Sequence, residues 1–470
     1  MSALTNQRTE PSVRPTAARR VPLWVAIAAV SLPMFMATLD NLVMTTALPV
    51  IRADLGASVT DLSWFLNAYT LAFATFMLPA ATLGDRLGRR RVMLGGIVVF
   101  TVASIGAGLS DSSGALITAR AVQGLGAAAI MPLSLTLLAA NVPARLRPAA
   151  IGIWGGVSGL GVALGPVIGG AVVEGVSWQA IFWLNVPVAV LAVPLILAAV
   201  NESRGAWQRL DVVGTVLLGG AVFLGIWGIV HGNDDGWTSA GVLTPLIAAA
   251  VLVPAYVVHA LRRTDAVLPL RLFASRSFSV ANVVALGFTA GMFGAVFLLS
   301  QYLQVVQGYS PLGAGVRTLP WTAAPMVVAP VAGMLAGRIG VRPLLLSGLA
   351  LQAGSLVWFA GLAESGSSYA AFVPALAMAG VGMGLVFPSV SNATLDGLPD
   401  SDFATASSAN STVREFGVAL GIALLVAVFL GNGGQIAPDG YDGAIGPALL
   451  TGAGAVLVAF VAALFAPRRS

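Results

Sequence analysis

Long apolar runs alternate with short polar breaks along the whole chain. A helix needs about 20 apolar residues to cross a bilayer. At that length the runs near 23–47, 61–83, 92–110, 115–140, 149–172, 179–200, 212–232, 240–261, 278–303, 313–336, 343–363, 370–395, 407–430 and 446–466 predict fourteen spanning helices. The first run, "FMATLDNLVMTTALP", keeps an acid, Asp40, in its middle. A charge near a bilayer centre costs about 2.5 to 3.5 kcal/mol on insertion scales, so Asp40 is a candidate functional group.

The breaks fix an orientation. Arginines follow helices 2, 4, 6, 8 and 10 and occur in both tails, so 20 of the 24 basic residues share one side. The other loops carry Arg52 against Asp54, Asp61, Asp111, Glu174, Asp234, Asp235, Glu364, Asp439 and Asp442. The positive-inside rule then places both termini in the cytoplasm. The polar segment 1–22 is expected to be a disordered cytoplasmic tail, and no removable signal peptide is expected ahead of a helix that contains Asp40.

Composition narrows the chemistry. The chain has 470 residues, 57% hydrophobic and 9% charged, with a mean hydropathy of +0.90, which is a membrane protein's balance. Cysteine is absent, which removes disulfides and thiolate metal sites. Lysine is absent too, so no P-loop holds a nucleotide. His231 and His259 are too few for a histidine-rich metal site. The arginines serve topology, and nucleic acid is not an expected partner.

The chain is written twice. "GVALG" occurs at 161–165 and 417–421, and "GLGAAAIMP" (124–132) resembles "GVGMGLVFP" (380–388), both at an offset of 256. "ATLGDRLGRR" (81–90) resembles "GMLAGRIGVR" (333–342) near the same offset. These matches pair helices 1–6 with 9–14 and leave helices 7 and 8 between. The expected architecture is all-α, with a six-helix bundle over 23–200, two linking helices over 201–265 and a second bundle over 266–470. Two parallel halves of this kind describe a secondary transporter with its substrate between them.

Several motifs carry candidate roles. In "GDRLGRRR" (84–91) the chain reverses at Gly88, where glycine tolerates unusual backbone angles. Asp85 can bond backbone amides or an arginine and is a candidate latch, while Arg86, Arg89 and Arg90 hold the loop at one face. Gly161, Gly165 and Gly169 recur every fourth residue and form one helix stripe, which lets backbones approach closely; Pro166 weakens the ladder beside it.

With these residues in view, the chain resembles the major facilitator superfamily, in its fourteen-helix drug:proton antiporter branch. The loop pattern G-x-L-x-D-R-x-G-R-R is met by Leu83, Asp85, Arg86, Gly88, Arg89 and Arg90, with Ala81 in place of the leading glycine. Arg120, Gln123, Gly124, Gly126 and Ala127 match the helix-4 pattern, and Gly161, Gly165, Pro166, Gly169 and Gly170 match the exporter pattern of helix 5. Leu39, Asp40, Ala47, Leu48, Pro49 and Ile51 match the helix-1 pattern of the fourteen-helix branch. The resemblance implies that helix 5 packs against the other half and closes the outer gate.

The expected function is proton-coupled export of amphipathic drugs or antibiotics across the cytoplasmic membrane by a monomer, driven by the proton gradient with no cofactor. Protonation would neutralise Asp40 and remove the cost of passing its charge through a closed state. Arg120 either acts on Asp40 electrostatically or snorkels to the interface. Glu415, beside Arg414, is a second proton or cation site or an interfacial charge. Phe35, Met36, Met44, Trp64, Tyr69, Gln123, Trp154, Phe293, Tyr302 and Gln304 could supply aromatic, soft and polar contacts to substrate. Export of one metabolite, passive uptake, and a membrane enzyme remain as alternatives.

Overall fold

The computed structural model describes residues 22–467 apart from 206–208, 264, 365–366, 400–401 and 438. The expected tail at 1–22 therefore lies almost wholly outside the described residues. Among the described residues, fourteen helices are long and apolar enough to span a membrane. They are α1 (Leu23–Leu55), α2 (Val59–Leu87), α3 (Arg89–Gly108), α4 (Ser113–Asn141), α5 (Arg147–Gly175), α6 (Ala180–Ala199), α7 (Val212–Asp235), α8 (Ala240–Leu261), α9 (Arg276–Val305), α10 (Pro311–Ala336), α11 (Val341–Glu364), α12 (Tyr369–Leu395), α13 (Phe403–Gly431) and α14 (Ile445–Ala463). α1 continues two turns beyond its apolar run, through Arg52 and Asp54, before Gly56 ends it at φ 63°. α10 is built from three pieces that meet at Thr318 and Ala323, in a stretch with Pro311, Pro320, Pro325 and Pro330, each lacking the amide hydrogen a continuous helix needs.

The packing repeats as the sequence does. α1 lies against α5 and α6, and α9 against α13 and α14; α2 and α3 lie against α4, and α10 and α11 against α12. The repeated glycines do equivalent work. A methyl on Gly126 would meet the α3 backbone at Phe100 N, 2.6 Å away, and one on Gly382 would meet the α11 backbone at Gly348 O, 2.7 Å away. Between the halves, α2 faces α13 and α5 faces α10, a pair of contacts that the repeat exchanges.

The halves meet at one end and part at the other. On α5, Gly159, Ala163, Pro166 and Gly170 share a face at i, i+4, i+7 and i+11. Thr322 of α10 donates to the Ala163 carbonyl at 3.3 Å, and a methyl on Gly170 would lie 2.5 Å from Leu312 Cα. Gly159 has nothing within 4 Å, and on α10 the same holds for Gly333. Contact between α5 and α10 is thus confined to the Arg-poor end, and on this side the crevice opens toward the Arg-rich end. One apolar cluster includes residues of both halves, whereas a second, around Met93, Ile130 and Ile196, belongs to the first half alone.

Candidate functional site

Asp40 sits on the α1 face turned into the first bundle. Its Oδ2 accepts from Arg120 Nη1, and its Oδ1 accepts from Gln123 Nε2 at 3.1 Å and Asn185 Nδ2 at 2.7 Å. Ser104 Oγ accepts from the same two amides, at 2.7 and 3.2 Å. Arg120 Nε donates to the Phe65 carbonyl at 3.0 Å, and the guanidinium carbon lies 4.4 Å from the Tyr69 ring centre. The Tyr69 hydroxyl donates to the Ala37 carbonyl at 3.3 Å. Arg120 is fully buried, so snorkelling does not describe it. Five helices, α1, α2, α3, α4 and α6, converge on one ion pair.

A pair this deep stands only where its remaining bonding positions are filled. Asp40 achieves that with three donors. Arg120 does not quite: among the described residues Nη2 has no partner. The second half does not repeat the arrangement. At the 256-residue offset Arg120 and Gln123 become Leu376 and Ala379, both fully buried. Asn185 and Ser104 escaped the sequence reading. Asn185 stands in the stretch "WQAIFWLNVP" (178–187), where a lone amide in an apolar run was the available signal.

Asp40 does not line the space between the halves. A partly open cavity of about 40 Å³ lies there, bordered by Leu42, Thr45, Pro166, Phe293, Ser300 and Trp321 among others. Phe293 and Pro166 are the predicted residues it contains. Gln304 bridges the halves beside it, donating to the Thr46 carbonyl at 2.9 Å; Ser300 does likewise to Thr45 at 2.9 Å. Other candidates lie elsewhere. Met36 and Met44 are core residues, and Phe35 packs on the core. Trp64 packs on α7, its ring tilted against that of Trp227 with centres 5.5 Å apart. Tyr302 points into the second bundle and bonds the Ala363 carbonyl at 3.3 Å. Trp154 donates to Ser134 at 3.1 Å. Glu415 is half-buried on α13, within electrostatic range of Tyr69, while Arg414 lies 5.6 Å from the Phe387 ring centre.

The gating candidates are rearranged. The stripe Gly161, Gly165 and Gly169 faces α1 of its own half, at Thr38, Leu42 and Val43. The helix reaches the other half through the adjoining face, with Pro166 and Gly170, because a helix turns about 100° per residue. At the Arg-rich end, Asp85 accepts from Arg89 Nε at 2.7 Å, and its carbonyl accepts from Gly205 at 3.2 Å. Glu202, after α6, accepts from the amides of Arg90 and Arg91 at 2.9 and 3.2 Å and so caps α3. Gly88 stands at φ 114° with the Glu202 carboxylate where a side chain would be. Arg86 stands in the last turn of α2, beside this α2–α3 turn. Among the described residues no group of acids or histidines could hold a metal.

Similarity to known proteins agrees with this frame. The description of the Major Facilitator Superfamily matches residues 30–422. The chain is 34% identical over 418 residues to the tetracenomycin C resistance and export protein of Streptomyces glaucescens, covering 88% of this chain and 78% of that one. It is 35% identical over 406 residues to the multidrug resistance protein Stp of Mycobacterium tuberculosis, covering 86% and 75%. Over 417 residues it is 33% identical to the methylenomycin A resistance protein of Streptomyces coelicolor, covering 87% and 86%. A crystal structure of a POT family transporter in complex with a thioalcohol conjugated peptide superposes with a TM-score of 0.71 at 16% identity, over 94% of this chain and 96% of that one; at that identity the likeness concerns the fold. On the span of the family match and the relatives together, the chain belongs to the Major Facilitator Superfamily.

Proposed function

We propose that this chain exports amphipathic antibiotics or similar drugs across the cytoplasmic membrane, exchanging them for protons by alternating access. Its relatives are named for antibiotic resistance and export, and the buried Asp40–Arg120 pair is the observation that carries the coupling. In the proposed cycle both termini are cytoplasmic, the Arg-rich crevice takes up cargo from inside, and the chain works as a monomer. No cofactor is required.

The geometry supplies a means of transmission. Here the carboxylate is closed to water, so proton exchange belongs to a conformation in which the network loosens. A proton on Asp40 removes the counter-charge of Arg120, and a buried guanidinium without one is costly. Arg120 grips α2 through the Phe65 carbonyl and the Tyr69 ring, and α2 is a wall of the seam with α13. Relief of the unpaired charge is thereby a force on the seam between the halves.

The test is transport in proteoliposomes under an imposed pH gradient, with lipophilic cations and neutral antibiotics as cargo. Gradient-driven accumulation in the parent and its loss in a folded Asp40→Asn variant support the proposal. Accumulation by Asp40→Asn equal to the parent's rejects the proton role. A narrower reading, export of a single compound, is favoured by relatives named for one antibiotic each, and the same cargo panel separates the two.

A further inference from the structure

α7 touches both halves at once, lying against α2 of the first and α13 of the second. Ile226 and Val230 join an apolar cluster with Trp64, Ala68 and Leu71 of α2 and with Ala419 and Ala423 of α13. Gly219 admits the Thr75 side chain so closely that a Cβ would not fit. At the Arg-poor end two adjacent residues complete the contact, one to each half. Asn233 Nδ2 donates to the Ala427 carbonyl of α13. Asp234 Oδ2 accepts from the Thr60 hydroxyl of α2 at 2.6 Å. Asn233 is aimed by a third residue: its Oδ1 accepts from Trp237 Nε1 at 3.0 Å, which turns the amide nitrogen toward Ala427.

We infer that α7 is a strap across the α2–α13 seam, with Asn233 and Asp234 as the positioning residues that hold the Arg-poor end of the crevice shut. Neighbouring Cα atoms are 3.8 Å apart, so two adjacent residues cannot follow two halves as they separate. Opening this end breaks the bond to Ala427 or the bond to Thr60. A contact made in one state only shifts the balance between states; one made equally in both does not. This gives the inserted helix pair a task that the duplicated halves do not supply. The inference rests on the alternating access proposed above. Its test reads geometry without cargo or proton gradient, so its failure is distinct from failure of the transport reading.

The chain contains no cysteine, so Ala53→Cys and Asn432→Cys, both exposed at the Arg-poor ends of opposite halves, place a spin-label pair without background. Double electron–electron resonance in nanodiscs is expected to give mainly the short distance for the full chain. Asn233→Ala with Asp234→Ala is expected to raise the ratio of long to short distances about three- to tenfold, the range for removing one partly exposed hydrogen bond from the closed state relative to the open one. Asp234→Asn alone keeps an oxygen for Thr60 and is expected to leave the parent distribution. A double variant with the parent distribution overturns the inference, and so does one whose melting temperature falls while the distribution stays. If the double variant does not fold, Thr60→Val, which deletes one of the two bonds at similar volume, is read by the same criteria.

Discussion

Arg120 and Asp40, 80 residues apart in the chain, form an ion pair whose side chains are 0% and 2% exposed. The consequence is a bundle whose interior is charged and cross-linked, beside a second bundle that has Leu376 and Ala379 where the first has Arg120 and Gln123. Breaking such a pair from one side leaves a buried charge, whereas replacing both members removes the problem.

Arg120→Ala is therefore expected to destabilise the protein by about 3–5 kcal/mol, seen as a large drop in the detergent melting temperature. Asp40→Leu combined with Arg120→Leu is expected to recover most of that loss while abolishing gradient-driven transport. Equal melting of the single and double variants contradicts the assignment.

Gly170→Ala tests the closed end. The added methyl would lie 2.5 Å from Leu312 Cα in α10, and overpacking of this kind costs about 1–3 kcal/mol. Because the clash exists only where α5 and α10 touch, the variant is expected to favour the state open at the Arg-poor end. Spin-label distances across that end are the readout, and an unchanged distribution counts against the packing described.

Glu202→Gln tests the cap on α3. The carboxylate accepts two backbone amides at a helix start, where negative charge and capping together contribute about 0.5–2 kcal/mol. A modest loss of melting temperature is expected from it. Gly88→Ala is expected to cost more, since φ 114° and the Glu202 carboxylate both oppose a side chain.

Arg271 and Asp402 predict an acid-sensitive contact outside the membrane spans. Arg271 donates to both carboxylate oxygens, at 2.7 and 2.8 Å, and this hydrogen bonding holds the Asp402 carboxyl below its ordinary range. A carboxyl with a depressed value stabilises the folded state above the unfolded value, about 3.9, and loses that contribution as pH falls through the folded one. Arg271 is more than half exposed, so screening keeps the effect small. Melting curves of parent and Asp402→Asn are expected to differ at pH 6, with the gap narrowing as pH falls below about 3.9. A gap that does not narrow on acidification contradicts the pairing.

The sequence by itself determined the fourteen spans and the duplication. Transfer of a 20-residue apolar run into lipid is a sum over that run and needs no partner, so its signal is local. The repeated glycines were legible for the same reason: a close approach leaves its mark at the residue that must be small. The sequence also singled out Asp40 and Arg120, because a charge in an apolar run is conspicuous wherever it ends up.

Only the tertiary structure decided what those residues meet. Asn185 joins Asp40 from 145 residues away, Glu202 reaches back to the start of α3, and Trp64 turns to α7 instead of the central crevice. Each outcome follows from how far a helix is rotated about its axis and which neighbour it packs on. Those angles are set by the packing of many side chains at once, and a rotation of one residue moves a group from the crevice to the bundle core or to lipid. Hydropathy along one helix is nearly the same at every such rotation, which is why it singles out Asp40 as a charge in an apolar run and leaves its partners to the fold.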